Sequence, residues 1–418
     1  MPPIWPRSRG RAARSAVAPM RVMAQTPGGE AITPFKIRVP DADLKDLKDR
    51  LTRARFPDEL PDGNWDYGTN TAYLKTLVAY WRDKYDWRAQ EKMLNTFDQF
   101  KTTIDGVEVH FVHQRSKNPN ARPLLLLNGW PSSLIEYHKV IAPLTDPVAH
   151  GGRVEDSYNV VIPSMPGYGF SGKQPGRGYS PERVARMWAQ LMARLGYSHY
   201  FVEGSDWGQI IVPRLALRDA AHVAAIHFPA CGPATAPDPA TAPTVNKLVD
   251  NAHNLGYQEI QATKPQTLGV GLSDSPVGLA SWIIDKWFAW SDHDGDLEKI
   301  YSKDDLITNV MIYWLTNSGT SSTRLYYESR HPDGTFAPSL FQALPDRVMA
   351  PTGCGSFWHQ YDRRGVKATA GEAEARKALD TRFNVVHLTI MPRGGHFPAL
   401  EQPQLFVDDL RAFLRARQ

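Results

Sequence analysis

The sequence predicts an α/β fold: a mostly parallel sheet with crossover helices, a helical lid inserted into it and a helical segment ahead of it. Three observations carry that expectation. Short apolar strand patterns alternate with helical ones from about Phe100 onward, as they do where a parallel sheet is buried on both faces. A tryptophan-rich helical stretch, residues 233–337, interrupts this rhythm before strand signals return. One strand runs straight into Gly204-Ser205-Asp206-Trp207-Gly208 and an apolar helix, the sharp turn on which such sheets expose a nucleophile.

The elements follow in chain order. Residues 1–33 form a basic leader. Five arginines (Arg7, Arg9, Arg11, Arg14, Arg21) precede the first acidic residue, Glu30. Taking those five charges from the net +4 leaves the remainder at −1. The body therefore lacks the basic field that nucleic-acid binding needs, and that class is excluded. The longest apolar run in the leader, Ala16–Met20, is ended by Arg21. That is shorter than the run of about 7–15 residues in a secretory signal. A membrane span of about 20 apolar residues occurs nowhere. The leader is expected to be disordered, with an arginine-rich targeting segment as the sharper alternative. A soluble intracellular protein is expected.

Residues 34–100 are helical and aromatic-rich. Leu44, Leu47 and Leu51 make a helical stripe over Asp41–Arg55, with Asp41 as the expected N-cap and Pro57 as the stop. A second amphipathic helix is expected over Thr71–Tyr85. The first part of the core, residues 101–232, holds expected strands at Val107–Val112, Pro123–Leu127, Tyr158–Pro163 and Tyr200–Glu203, and a helix over Pro181–Leu195. The lid occupies 233–337. The second part, 338–418, has strand signals near Arg347–Pro351 and Val385–Ile390 and a final helix, Gln404–Arg415. Two cysteines, Cys231 and Cys354, provide neither a disulfide framework nor a four-thiolate metal site. No cofactor or metal is expected.

The central residue of the strand-to-helix turn decides the chemistry. A carboxylate with a reference pKa near about 4 is already ionised at neutral pH. Asp206 is therefore suited to attack an alkyl carbon and form an ester. The leaving group is an epoxide oxygen or a halide. A plain helix-capping aspartate is the bland alternative. Asn128-Gly129-Trp130-Pro131 ends an earlier strand. Its Trp130 N–H, paired with the N–H of Trp207, would form a two-donor oxyanion hole. Met391-Pro392-Arg393-Gly394-Gly395-His396 follows the last strand. Of 13 histidines only His396 has this setting, and it is the expected base for cleaving the ester with water.

These residues resemble the microsomal-type epoxide hydrolases of the α/β-hydrolase fold. The similarity covers nearly all of 34–418. It runs through PFKIRVPDADLKDLKDRL and YDWRAQEKMLNTFDQF (that family's N-terminal meander), NGWPSSLIEY, VIPSMPGYGFS, GSDWG, GYQEIQATKPQTL, DSPVGLASWI, RLYYE and MPRGGHFPALEQP. The resemblance implies an epoxide substrate, apolar given the aromatic lid, and leaves a homodimer open. It adds two lid tyrosines that bind the epoxide oxygen, Tyr257 and, by register, Tyr326 rather than Tyr327. Two departures stand out. Asn128 replaces the family's histidine; the donor there is main-chain, so the hole is expected to survive with altered local bonding. The acid that orients the histidine lies in an F-P-x-E/D pattern, where this chain has Phe357-Trp358-His359-Gln360-Tyr361-Asp362. Asp362 is the first candidate and Glu372 the alternative. Competing readings are a haloalkane dehalogenase, which shares the aspartate and histidine, and a non-catalytic ligand-binding homologue that has lost its acid.

Overall fold

A computed structural model describes residues 30–230, 255–337, 339–340, 342–357, 376–377 and 379–417. Residues 1–29 of the expected leader and both candidate acids, Asp362 and Glu372, lie outside the described residues; the leader's expected end at residue 33 is too late, because Thr33 already pairs with Lys101 in the first strand of the sheet. Among the described residues, no helix is long and apolar enough to cross a membrane.

Nine strands form one sheet: β1 (Thr33–Phe35), β2 (Gln99–Ile104), β3 (Val107–Gln114), β4 (Arg122–Leu127), β5 (Tyr158–Pro163), β6 (Tyr200–Gly204), β7 (Val223–Phe228), β8 (Val348–Ser356) and β9 (Phe383–Ile390). Their order is β1-β2-β3-β5-β4-β6-β7-β8-β9. Pairing is antiparallel from β1 to β5 and parallel from β5 to β9. Alternate side chains of β4 enter different cores. Leu125 and Leu127 join the larger cluster, and Leu124 and Leu126 join the smaller one on the opposite face. Two buried faces explain the unbroken apolar run.

The helices of the first half are α1 (Asp41–Thr52), α2 (Thr71–Asp83), α3 (Trp87–Leu94), α4 (Ile141–Thr145), α5 (Pro181–Arg194) and α6 (Trp207–Arg218). Asp41 is not the N-cap of α1. Pro40 holds that position without a side-chain cap, and Asp41 lies in the first turn, where its charge still favours the helix dipole. The insertion contributes α7 (255–263), α8 (Pro265–Asp274), α9 (Pro276–Trp290), α10 (Lys303–Leu315) and α11 (Gly319–Arg330). Two further helices, Pro398–Glu401 and Pro403–Arg415, follow β9.

The segment before β2 does more than lead into the core. It gives β1 to the sheet edge and packs on the insertion. Trp65 stacks on Phe288 with centroids 3.7 Å apart, Trp81 Nε1 reaches Met311 Sδ at 3.2 Å, and Thr69 Oγ1 donates to the Ser281 carbonyl at 2.7 Å. The insertion is thus held from outside by the N-terminal segment.

Candidate active site

The chain leaves β4 for β5 on one side and crosses to β6 on the other. That reversal opens a crevice at the carboxyl ends of β4 and β6, where ligands of such sheets bind. Leu127 pairs in register with Gly204, and Ser205 N–H donates to the Leu127 carbonyl at 2.9 Å. The two turns that follow are therefore side by side.

Asp206 sits between β6 and α6 at φ 50°, ψ −116°. A non-glycine residue there stores about 1–3 kcal/mol of backbone strain. Glycines make room for the turn. A Cβ on Gly208 would lie 2.1 Å from the Leu127 carbonyl oxygen, and one on Gly129 would lie 2.0 Å from Asp206 Oδ1. The Trp130 N–H donates to Asp206 Oδ1 at 2.9 Å. Trp207 is the first residue of α6, so its N–H belongs to the first turn, at the positive end of the helix dipole.

His396 approaches from the far side. Its Nε2 lies 3.2 Å from Asp206 Oδ2. This is ion-pair distance without hydrogen-bond alignment. Burial lowers the pKa of His396, but the Asp206 carboxylate, with Glu136 and Glu401 behind it, more than reverses this and leaves it raised. The histidine backbone is docked on the insertion: His396 N–H donates to the Trp290 carbonyl at 2.8 Å, and its ring lies 4.8 Å from that of Trp290.

Both tyrosines face the turns that carry Trp130 and Asp206. Tyr257 stacks on Trp130 at 5.2 Å and 13°. Tyr326 meets Trp207 edge to face at 4.7 Å. The two tyrosine rings are 5.9 Å apart. Tyr327 points elsewhere and stacks on His331 at 3.9 Å. Gln258 Nε2 donates to the Tyr257 oxygen at 2.9 Å, which leaves the phenolic proton free to be donated. Burial, then the charge of Asp206, pushes Tyr257 up. Burial first, then Tyr257 and Asp206, does the same to Tyr326. Both are neutral donors at any ordinary pH.

Of the eight residues the sequence singled out, Asp206, His396, Tyr257, Tyr326, Trp130 and Trp207 converge on this crevice. Asn128 does not aim at it. Its Nδ2 donates to Ser132 Oγ and to the Gly129 carbonyl, each at 3.2 Å, so it pins the turn that carries Trp130.

Sequence reasoning missed two carboxylates. Glu401 is buried beside the histidine loop and accepts from the N–H groups of Gly395 at 2.8 Å, Phe397 at 2.9 Å and Asp292 at 3.0 Å. Glu136 accepts from Ser205 Oγ at 2.8 Å and from Ser132 Oγ. The only signal for either was a charged residue embedded in an apolar run, SSLIEY or HFPALEQ.

The chain is similar to known epoxide hydrolases over most of its length. Residues 32–137 match the epoxide hydrolase N terminus family, and residues 122–283 match the alpha/beta hydrolase fold family. Epoxide hydrolase 1 of Sus scrofa is 34% identical over 92% of this chain and 89% of its own. Juvenile hormone epoxide hydrolase 2 of Ctenocephalides felis is 36% identical over 91% of this chain and 84% of its own. The crystal structure of juvenile hormone epoxide hydrolase from the silkworm Bombyx mori superposes with a TM-score of 0.76 at 31% identity, covering 93% of this chain and 94% of that one. Likeness at this level runs from the N-terminal segment through the sheet to the histidine loop, so the chain belongs to the microsomal-type epoxide hydrolase family and is a hydrolase of the α/β-hydrolase fold.

Proposed function

We propose that this enzyme hydrolyses an apolar epoxide to a vicinal diol through a covalent ester on Asp206. The observation that carries the reading is the placement of Asp206. Its carboxylate lies between a main-chain donor 2.9 Å away and an imidazole 3.2 Å away, beside two tyrosines. In the first step Asp206 attacks an epoxide carbon and the C–O bond breaks. Tyr257 and Tyr326 donate to the oxygen as it becomes an alkoxide, and a proton passes to it from a phenol. Their raised pKa values keep the protons in place until that charge develops.

In the second step His396 removes a proton from water, which adds to the ester carbonyl. The Trp130 and Trp207 N–H groups hold the resulting oxyanion. Collapse passes the carboxyl proton to the leaving alkoxide, which releases the diol and restores the carboxylate, and the imidazolium returns its proton to the phenolate left by the first step. The imidazole has no aligned bond to Asp206, which suits a base that must face water. Either Asp362 or Glu372 orients it and stabilises the imidazolium. The step needs neutral His396, so hydrolysis slows as pH falls through its raised pKa.

Single turnover of styrene oxide in heavy-oxygen water tests the ester. Label is expected in Asp206 first and in diol only on later turnovers. Label that goes directly into diol overturns the reading. Asp206→Asn is expected to form no ester.

A further inference from the structure

Behind the nucleophile is a buried polar layer that the proposed reaction does not use. Glu136 lies in the turn after β4 and is 2% exposed. Its Oε1 accepts from Ser205 Oγ at 2.8 Å, and its Oε2 accepts from Ser132 Oγ. Ser205 immediately precedes the nucleophile. Ser132 follows Trp130 by two residues, takes a bond from Asn128 Nδ2 at 3.2 Å, and offers its carbonyl to the Tyr313 hydroxyl at 2.7 Å. A single carboxylate thus spans the two turns that hold the Trp130 N–H and Asp206. An apolar residue would avoid the desolvation of a buried carboxyl but would break both struts.

We infer that Glu136 is a positioning residue: bonded at once to the oxyanion turn and to the nucleophile turn, it fixes the Trp130 N–H against the Asp206 carboxylate and supplies a negative charge behind His396. The inference rests on the roles proposed for Asp206, Trp130 and His396. The groups facing Glu136 are Asp206 and His396 in the crevice, Glu203 on β6, Tyr137 in its own turn, and Tyr301 and Tyr313 from the insertion. The tyrosines are neutral, and Glu203 is pushed far up by burial and takes a bond from the Tyr137 hydroxyl at 3.0 Å. Burial likewise raises Glu136 to about 7, only partly offset by the serine bonds. Its charge is therefore present on the alkaline side of neutrality, where it holds the His396 pKa up.

The test measures ester formation and ester hydrolysis separately, by rapid quench with styrene oxide across pH, in wild type, Glu136→Gln, Ser205→Ala and the double variant. Glu136→Gln is expected to slow ester formation about tenfold, less than the roughly 10²–10³ for losing an oxyanion donor outright, with little change in KM. It is also expected to move the acid limb of hydrolysis to lower pH, which a merely structural residue would not do. Ser205→Ala cuts one strut and is expected to slow ester formation without moving that limb. The double variant is expected to be slower by less than the product of the two effects. Unchanged rates and an unmoved limb in Glu136→Gln overturn the inference, as do independent effects in the double variant. Should Glu136→Gln fail to fold, Ser205→Ala decides alone, and a wild-type rate of ester formation overturns it. Wild-type enzyme that forms no ester sinks the underlying reaction instead, which keeps the two failures apart.

Discussion

Gly129→Ala should disable the first chemical step while leaving the fold standing. The added methyl would lie 2.0 Å from Asp206 Oδ1, 2.4 Å from its Cβ and 2.5 Å from its Cγ. Non-bonded carbon contacts begin at about 3.5 Å, so one turn must retreat by about an ångström or more. Neither can do so freely. Asp206 is held in a strained conformation at φ 50°, and the Gly129 turn is tied by Asn128 and Ser132. The retreat also opens the 2.9 Å bond from the Trp130 N–H. A misplacement of about 1 Å costs on the order of 10²-fold in rate, and one lost oxyanion donor about 10²–10³. Overpacking adds about 1–3 kcal/mol of instability. Single-turnover ester formation is the assay, with thermal unfolding beside it. Gly271→Ala is the control. A Cβ there meets nothing within 4 Å, and an alanine inside α8 should stabilise by up to about 1 kcal/mol with no change in rate. Ester formation in Gly129→Ala within threefold of wild type would refute the claim that these two turns define the site.

Other outcomes follow from the same contacts. Tyr257→Phe and Tyr326→Phe should each slow ester formation by about 10–10³-fold and leave ester hydrolysis nearly untouched; equal slowing of both steps in quench-flow would contradict their role at the epoxide oxygen. Glu401→Gln replaces a carboxylate that accepts three N–H bonds by an amide with one acceptor. The unsatisfied buried donors should cost about 1–3 kcal/mol, and hydrolysis should slow more than ester formation; the reverse order would count against a loop-bracing role. In the last helix, Asp409 is opposed by burial but held well below the usual carboxylate range by His227 at 3.0 Å and His387 at 2.8 Å. Asp409→Asn should destabilise by about 1.5–3 kcal/mol at neutral pH, the worth of hydrogen bonds to a charged acceptor. Because the folded pKa is depressed, that contribution is full above the unfolded value near about 3.9 and is lost as pH falls toward the folded value. The stabilities of the two proteins should therefore draw together progressively as pH falls below about 4, and a constant gap in denaturant titrations would refute a stabilising Asp409 carboxylate.

How much of this was legible depended on whether an element had to solve its problem locally. Tyr158–Pro163 was read to the residue, and Pro181–Arg194 within one, because burial on one or two faces shows directly as an apolar run or a 3.6-residue stripe. Val223–Phe228 went unread. Its alanines continue those of α6 without a clear break, and only pairing with β6 and β8 makes it a strand. Thr33–Phe35 is three residues long and owes its conformation wholly to β2, more than 60 residues away. The strand expected near Arg347–Pro351 extends to Ser356, through glycines that lower its propensity but admit Phe413 and Asp409 against Gly353 and Gly355. In the site, residues with a distinctive turn were visible: Asp206 between glycines, His396 after a glycine pair. The choice of Tyr326 over Tyr327 came from register with the family; in the structure Tyr326 lies against Trp207 and Tyr327 against His331. Glu136 and Glu401 were invisible because their partners are two serines and a set of backbone N–H groups, which no spacing rule links to a carboxylate.

The arrangement also explains why the two steps should be separable by mutation. The Asp206 carboxylate and the Trp130 N–H lie on the turns that leave the adjacent parallel strands β6 and β4, and those turns are joined through Leu127, Ser205, Ser132 and Glu136. That unit is part of the sheet. The proposed base is held differently. His396 lies on a loop whose backbone is fastened to the end of α9, through the Trp290 carbonyl, through Asp292 Oδ2 to Gly394 N–H at 2.9 Å, and through Glu401 to Asp292 N–H. A Cβ on Gly395 would fall 2.5 Å from the Trp290 carbonyl oxygen, so loop and helix are in contact with no room for a side chain. Trp290 in turn lies 5.2 Å from Tyr257. A shift of α9 is then expected to carry the proposed base, His396, and one proposed epoxide-binding tyrosine, Tyr257, together, while Asp206 and Trp130 stay with the sheet. Substitutions under α9, such as at Trp65 where it stacks on Phe288, should therefore alter hydrolysis from outside the crevice, and substitutions between β4 and β6 should alter ester formation from beneath it.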